Sequence, residues 1–391
     1  MTAPTDSDPL APSGGLDVRI VDDVDRTFRQ AWSALAAAAE NPFSTPEWHE
    51  AWLRTQTGTS GLVVSIYRGA ELVGVLPLVV RRRWGFGVLR APGGDLGDFS
   101  GPASLPVHAR AVGEAVCAAL PSLLGPRDML LVERCLHGSG WQLSLAEAET
   151  ESTSPVVVRS WRSDATLVEA LLPRGGSPLR RGRDRREIDR LARRLDQQHG
   201  VRLRMSGTAD VERDLLALLH LRRSRWDAAP RPSEEAFLLD VAHSASEAGF
   251  LRLWLLDDND RVVAGLLGWS LSGRTFAHLM AFDGAYAKLG PGTVLLARAV
   301  ESAVTAGDRV FDFLRGDEAH KRAYVTQQRT VGSYVLARRG SLAAALVRGA
   351  DGVQLGYQRL PASWQRRAQV LPTYLRRAEP AVSADSRPGR L

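Results

Sequence analysis

The order of apolar patterns along this 391-residue chain repeats once, and the repeat limits the folds that the chain can adopt. In the first half a strand-like hairpin, a helical pattern and a buried-strand pattern lie at 62–80, 112–124 and 128–134. In the second half a hairpin, a further strand, a helix and a strand lie at 251–270, 275–283, 293–307 and 309–315. Two copies of one unit explain this order better than one large sheet would, so we predict an α/β fold with mixed sheets and helices.

The repeat and the local composition together predict the division of the chain. Both ends are polar and lack a pattern that could bury a core, so we expect them to be disordered. The segment before the second end is basic and apolar. It could meet a partner or a membrane surface, but we favour packing on the second unit. The predicted parts are a disordered tail at 1–15, a first unit at 16–160, a connecting segment at 161–200, a second unit at 201–340, a basic helical segment at 341–379 and a disordered tail at 380–391.

Composition excludes several classes of protein. The eight His and two Cys show no metal-ligand spacing, so we expect no bound metal. The start of the chain does not resemble a signal peptide, and no apolar run approaches the ~20 residues of a membrane span. We therefore expect a cytoplasmic protein without a transmembrane segment. The net charge of +6 favours anionic partners without identifying one.

An Arg-rich helix is predicted at 179–200 in the connecting segment. Ile188, Leu191 and Leu195 lie at i, i+3 and i+7, so one narrow apolar stripe is available for docking. The remaining face is charged. It is either a solvated surface or a contact for phosphates of RNA, although the stretch has no aromatic residue on which bases could stack.

A Gly-rich turn precedes the predicted helix at 293–307. Gly290 and Gly292 remove side chains where the backbone turns, and they leave the N–H groups at the helix start free to bind an anion. Lys288 adds a positive charge nearby. This arrangement suits a phosphate or pyrophosphate, and an ordinary loop that ends in a helix cap remains open as the alternative.

Polar residues follow the predicted strand at 309–315, in the stretch FDFLRGDEAHKRAY. Residues that follow the carboxyl end of a strand line ligand crevices in α/β folds. Only two of the 50 basic residues are lysines, Lys288 and Lys321, and they flank the same helix. Both could therefore face one crevice. Six polar residues crowd within ten positions there, and some of them are also expected to form ion pairs that serve only the fold: Asp312, Arg315, Asp317, Glu318, His320 and Lys321.

Two stretches of the first half complete the candidates. APGGDLGDFSG is a Gly-rich loop in which Asp95 and Asp98 either approach a substrate or form an ordinary acidic turn, and it lacks the dinucleotide spacing. NPFSTPEWHEAWL predicts a helix that begins at Pro46, is capped by Ser44 or Thr45 and packs through its tryptophans.

Four stretches in this order, NPFSTPEWHEAW, ELVGVLPLVVRRR, GPGTVLL and FDFLRGDEAHKRAY, resemble the CelD/BcsL-like acetyltransferases. These belong to the GNAT superfamily and are related to the FemAB-like transferases, which contain two GNAT-type units. The resemblance covers roughly residues 40–340. It implies tandem GNAT-like units with a FemAB-like architecture, and an acyl-CoA cosubstrate such as acetyl-CoA. The superfamily's pyrophosphate loop corresponds here to Lys288, Gly290, Gly292 and Thr293.

The resemblance also implies transfer of an acyl group to an amine or hydroxyl of a small molecule or a cell-envelope polysaccharide precursor. Direct attack on the thioester requires a positioned proton acceptor and no covalent enzyme nucleophile. We expect Asp283 or Glu318 to be the base or to orient the acceptor, with His320 as a further candidate, while Lys321 and Arg315 hold negative charge on the donor or acceptor. The expected catalytic residues are thus Asp283, Glu318, His320 and Lys321, and the expected substrate contacts are Asp95, Asp98, Asp312, Arg315 and Asp317.

Two alternatives stay open. The donor could be aminoacyl-tRNA, as in FemAB-like transferases, and the Arg-rich helix would then contact RNA; otherwise no nucleic-acid partner is expected. The chain could also be a binding or scaffold component without catalysis. Ala287 favours this second alternative, because the superfamily loop usually begins there with Arg or Gln.

Overall fold

The computed structural model describes residues 12–13, 15–21, 23–173, 182–225, 232–316, 318 and 320–348. The predicted tail at 380–391 lies outside these residues, as do most of the tail at 1–15 and of the segment at 341–379. None of the described helices combines the length and the hydropathy needed to cross a bilayer. The described residues also contain no group of three or more His, Cys, Asp or Glu side chains placed to hold a metal ion.

The described residues include 14 strands and the eight α-helices given below, and residues 342–348 are also helical. The strands are β1 Pro12–Ser13, β2 Leu16–Val21, β3 Ser60–Arg68, β4 Glu71–Arg83, β5 Phe86–Arg90, β6 Ala103–Ser104, β7 Asp128–Leu136, β8 Val156–Leu171, β9 Arg202–Met205, β10 Leu251–Asp258, β11 Arg261–Leu271, β12 Arg274–Phe282, β13 Val310–Arg315 and β14 Gln327–Arg338. The helices are α1 Arg26–Ala38, α2 Pro46–Thr55, α3 Ala109–Leu123, α4 Gly140–Thr150, α5 Gly182–His199, α6 Val211–Arg225, α7 Pro232–Glu247 and α8 Pro291–Thr305. Short 3₁₀ turns lie at Pro42–Ser44, Gly94–Leu96, Thr208–Asp210 and Gly284–Leu289.

The predicted repeat is present in the structure. In the first unit β3, β4 and β5 form an antiparallel series, and α3 then crosses over to β7, which pairs with β5 in parallel. In the second unit β10, β11 and β12 are antiparallel, and α8 crosses over to β13, which pairs with β12 in parallel. The α/β class and the duplication are therefore confirmed.

The two units share one continuous sheet. The sequence analysis treated a duplication and one large sheet as alternatives, whereas the structure combines them. The strand order is β1-β2-β3-β4-β5-β7-β14-β8-β13-β12-β11-β10-β9, and β6 pairs with β4. The last strand, β14, inserts between β7 of the first unit and β8. β8 in turn pairs with β13 of the second unit. The predicted boundary at 160/161 consequently falls inside β8, because pairing between distant strands leaves no trace in local periodicity.

An aromatic cluster joins the helices of the two units. Thr45 caps α2 by accepting a hydrogen bond from the N–H of Trp48 at 3.3 Å, which confirms one of the two predicted caps. Trp48 is only 1% exposed. Its ring lies edge-on to Phe237 of α7 at 4.8 Å and to Trp269 of β11 at 6.0 Å between centroids. The first unit thus anchors itself in the core of the second through this tryptophan.

The Arg-rich helix α5 docks through the predicted apolar stripe. Ile188 and Leu195 are buried and Leu191 is partly buried in the core that also contains α8. The side chain of Leu191 lies 3.0 Å from where a Cβ would stand on Gly290, directly at the turn before α8. The connecting segment therefore supports this turn from outside.

We expect Trp48→Ala to lower the free energy of unfolding by about 3–5 kcal/mol, because it removes a fully buried aromatic ring that both units contact. Trp84→Ala is the matched control, since Trp84 is 73% exposed; it should change stability by no more than ~0.5 kcal/mol. Urea unfolding of both variants measures the difference. Equal losses would show that Trp48 does not anchor the units.

Candidate active site between the two units

Two neighbouring strands of the second unit, β12 and β13, separate and open a cleft in the sheet. They pair only where Arg274–Phe276 faces Val310–Asp312. β12 continues to Phe282, and in the described part of the chain no strand pairs with it on this side beyond Phe276. An open strand edge of this kind can hydrogen-bond an extended ligand as a neighbouring strand would.

The buried carboxylate of Asp312 lies where the two strands diverge. Its Oδ1 accepts a hydrogen bond from the N–H of Leu314 at 2.9 Å, and Leu314 has a left-handed φ of 58°. Its Oδ2 pairs with Arg274 at 3.4 Å and with Arg329. The register between β13 and β8 also shifts between Asp312 and Arg315. Asp312 thus holds the bend in β13, and it does not line the cleft as the sequence analysis expected.

The ion pairs of Asp312 extend into a network that connects both units. Arg274 pairs with Glu169 of β8 at 2.6 Å and with Glu40, which follows α1, at 2.6 Å. Arg329 of β14 approaches Glu169 at 3.0 Å. Burial raises the pKa of Asp312, and the charges of Arg329 and Arg274 oppose this shift. The network therefore keeps Arg274 and Arg329 beside the carboxylates of Asp312 and Glu169, where β12 and β13 separate.

The start of α8 forms another wall of the cleft. Gly290 adopts a left-handed conformation with a φ of 64°, and no side chain caps the helix. The N–H groups of Gly292 and Thr293 have no acceptor among the described residues. A Cβ on Gly292 would lie 3.1 Å from the ring of Phe282, so glycine also permits close packing of helix and strand. The predicted anion-binding turn thus has its two amides open.

The cleft has a volume of about 680 Å³ and contains residues from both units. Nine residues predicted for the site line it: Asp95, Asp98, Gly290, Gly292, Thr293, Arg315, Glu318, His320 and Lys321. Three predicted residues, Asp283, Lys288 and Asp312, do not line it. Asp317 lies outside the described residues.

The two lysines do not face one cleft, contrary to the expectation from the sequence: Lys321 lines it and Lys288 does not. The ammonium group of Lys321 donates to the carbonyl oxygens of Phe313, Arg315 and Gly316 at 3.1, 2.7 and 3.4 Å. It also pairs with Glu318 at 2.7 Å. All its N–H groups are therefore engaged in closing the turn after β13, whereas Lys288 is exposed on the 3₁₀ turn before α8.

The two carboxylates proposed as base occupy different environments. Asp283 accepts a hydrogen bond from the N–H of Ala285 at 2.9 Å and pairs with Arg261, so it caps a turn away from the cleft. Glu318 lines the cleft. Burial raises its pKa, but the hydrogen bond and the charge of Lys321 outweigh burial and leave the pKa below its ordinary value. Glu318 is consequently ionised at neutral pH, and it suits orientation of an acceptor better than removal of a proton.

The Gly-rich loop APGGDLGDFSG of the first unit, here called the acidic loop, reaches across the cleft to the second unit. Asp98 is buried and pairs with the guanidinium of Arg315, which also donates to the carbonyl oxygen of Asp95 at 3.0 Å. Arg134 of β7 pairs with the Asp95 carboxylate at 3.3 Å. Asp98 and Arg315 thus neutralise each other, so neither presents a free charge to a substrate.

Sequence reasoning missed His278 of β12 and Arg222 of α6, which also line the cleft. Leu267 pairs with Leu279 and Gly268 with Ala277, so His278 is the extra residue of a bulge. Its Nε2 lies 2.7 Å from the carbonyl oxygen of Leu96. Its buried Nδ1 has no hydrogen-bond partner. The sequence did contain a signal for His278, namely a single imidazole in the apolar run TFAHLMAF.

The sequence and the fold both resemble those of known proteins. Residues 182–322 match the family model described as an acetyltransferase (GNAT) domain. A crystal structure of FemX superposes with a TM-score of 0.59 at 12% identity, over 82% of this chain and 97% of FemX. The chain has a FemAB-like tandem GNAT fold.

Other comparisons add less. A tandem GNAT protein from the clavulanic acid biosynthesis pathway superposes with a TM-score of 0.45 at 14% identity, over 83% of this chain and 99% of that protein. A search of curated proteins finds no match. At these identities the structural likeness establishes the fold alone.

The two GNAT units differ at the corresponding helix start. In the first unit α4 begins against the start of α3, and a Cβ on Gly140 would lie 2.4 Å from the backbone of Ala109 and of Arg110. The cavity beside it measures about 160 Å³, which is below the range of ~300–1,000 Å³ that is usual for ligand sites. Of these two cavities, only the cleft that contains the start of α8 has a volume within this range.

We expect Asp312→Asn to lower the free energy of unfolding by about 3–5 kcal/mol, because an amide leaves Arg274 and Arg329 beside an uncharged partner in a buried site. The matched control is Asp260→Asn in the exposed turn between β10 and β11, where Asp260 has a φ of 67°. Asn tolerates this conformation. Guanidinium unfolding compares the two variants, and a loss below ~1 kcal/mol for Asp312→Asn would contradict the role of the ion pairs.

Proposed function

We propose that the protein is an acyltransferase that moves an acyl group from acyl-CoA, such as acetyl-CoA, to an amine or hydroxyl. A small molecule or a cell-envelope polysaccharide precursor would be the acceptor. One observation carries the proposal: the open amides of Gly292 and Thr293 and the unpaired edge of β12 face the same cleft. The amides suit a diphosphate, and the edge suits the extended, amide-containing arm of CoA.

The reaction we propose is direct attack of the acceptor on the thioester carbonyl. Acceptor and donor would meet in a cleft that both units close, so that positioning supplies much of the rate enhancement. Glu318 and His320 line the cleft and are proposed to orient the acceptor. Lys321 would act indirectly, because its ammonium group holds the turn that presents these two residues.

The donor is expected to bind at one site per chain, in the second unit. The helix start in the first unit is covered by α4, and its cavity of about 160 Å³ is too small for a CoA arm. Calorimetric titration with acetyl-CoA should therefore give a stoichiometry near one. A stoichiometry near two would contradict the assignment.

We expect Thr293→Asp to weaken acetyl-CoA binding by at least about tenfold, or ~1.4 kcal/mol. A carboxylate in the first turn of α8 competes with an anion for the helix start, whereas it leaves the helix itself stable. Thr293→Asn is the matched control, because Asn has the shape of Asp without its charge. Calorimetry measures binding and urea unfolding measures stability. Equal affinities of the two variants would remove the helix start from the donor site.

Aminoacyl-tRNA is the alternative donor, and the exposed arginines of α5 favour testing it. Arg185, Arg186 and Arg193 are exposed on the helix that contacts the turn at Gly290. If tRNA binds, its affinity should fall steeply with salt and should drop in the triple Arg→Gln variant. Absence of tRNA binding at low salt would eliminate this donor. Absence of binding for both donors would leave only the scaffold role.

A further inference from the structure

We propose that the acceptor is an amine that also carries an anionic group, with Arg222 binding the anion and His278 Nδ1 receiving the proton of the reacting ammonium group. This inference rests on the proposed acyl transfer and specifies its acceptor. It depends on two side chains that line the cleft and are not used by the donor site.

Most cationic side chains of the cleft are already neutralised by neighbouring groups. Arg315 is paired with Asp98, and Lys321 is held by three carbonyl oxygens and Glu318. Arg222, by contrast, has no ion pair or hydrogen bond with any described residue. A guanidinium in a cleft offers two parallel donors that match a carboxylate or a phosphate. Among the described residues that line the cleft, Arg222 is therefore a cationic side chain left available to an acceptor.

His278 is held in one tautomer by a backbone contact. A carbonyl oxygen accepts only, so the contact of 2.7 Å with the oxygen of Leu96 requires that Nε2 carries the proton. In the neutral ring Nδ1 is then an unprotonated acceptor, and it is buried without a partner. Burial lowers the pKa of His278; the charges of Arg222 and Arg315 act in the same direction, whereas Asp98 and the Leu96 carbonyl oppose it. The ring is consequently neutral at physiological pH and can accept a proton.

The surroundings of His278 fix the ring. The rings of Trp48 and Trp269 lie 5.9 and 5.7 Å from the imidazole, and that of Phe43 lies 5.7 Å away. Leu96 belongs to the acidic loop of the first unit, whereas His278 belongs to the second. The first unit thus selects the tautomer of a side chain in the cleft of the second, which is the role expected of the group that orients a base.

Bonds and protons balance in the proposed acyl transfer. The acceptor's ammonium group gives one proton to Nδ1 of His278, which later releases it to solvent. The free amine nitrogen attacks the thioester carbonyl carbon, so that a C–N bond forms and the C–S bond breaks. The second proton of the attacking nitrogen passes to the departing sulfur. The products are an amide, free CoA with its thiol, and one proton.

The test compares acceptors that differ only in their acidic group. Glucosamine 6-phosphate is paired with glucosamine, and β-alanine with β-alaninamide, so that phosphate and carboxylate are distinguished. Acetyl-CoA is the donor and release of the CoA thiol is measured. We expect kcat/KM to be at least about tenfold higher for the anionic member of one pair. Equal values within both pairs would overturn the inference while leaving acyl transfer intact.

Variants separate the two roles. Arg222→Gln should raise KM for the anionic acceptor at least about tenfold and abolish the preference. Arg223→Gln, the neighbour on α6 that pairs with Glu235 outside the cleft, should behave as wild type. His278→Gln keeps a donor for the Leu96 carbonyl and removes the base, so kcat should fall ~10²-fold with little change in KM. The acidic decline of kcat with pH should also disappear in this variant.

Calorimetry supplies a readout that does not depend on turnover. The anionic acceptor should bind wild type more tightly than Arg222→Gln, and both should bind acetyl-CoA equally. Equal acceptor binding in both, or unchanged kcat in His278→Gln, would overturn the inference. Absence of acetyl-CoA binding to wild type would overturn the proposed function and this inference with it.

Discussion

The carboxylate of Asp312 is the constraint on which the architecture of the cleft depends. A charged group at this depth must be neutralised, and Arg274 and Arg329 come to it from β12 and β14. Its second oxygen stabilises the left-handed turn at Leu314. The strands therefore remain paired up to Asp312 and separate beyond it. The open edge of β12 begins where this buried ion network lies.

The same network makes the site a property of both units together. β14 lies between β7 and β8, and Glu40 reaches Arg274 from the first unit. Across the cleft, Arg315 pairs with Asp98 and His278 with the Leu96 carbonyl. A shift of one unit against the other would alter the cleft and the tautomer of His278 simultaneously. We therefore infer that packing between the units and selection of the acceptor are coupled.

The sequence predicted those features that depend on local pattern. These features arise from residues that are close in the chain: the duplicated order, the cap at Thr45, the apolar stripe of α5 and the turn at Gly290. Arg315, Glu318, His320 and Lys321 line the cleft as the sequence indicated, but Asp312 does not. Asp312 is buried and the amine of Lys321 is turned toward three carbonyls, because an irregularity in β13 between Asp312 and Arg315 changes where the neighbouring side chains lie. His278 was missed because a bulge changes the face to which a strand residue points.

Hydrogen–deuterium exchange with and without acetyl-CoA tests the central claim most directly, namely that the start of α8 and the free edge of β12 hold the donor. The ligand should slow exchange in peptides that cover 277–282 and 292–294, since bound donors would engage these amides. Peptides that cover 109–112, at the corresponding helix of the first unit, should be unaffected. Protection at 109–112, with none at 277–282 and 292–294, would contradict the account.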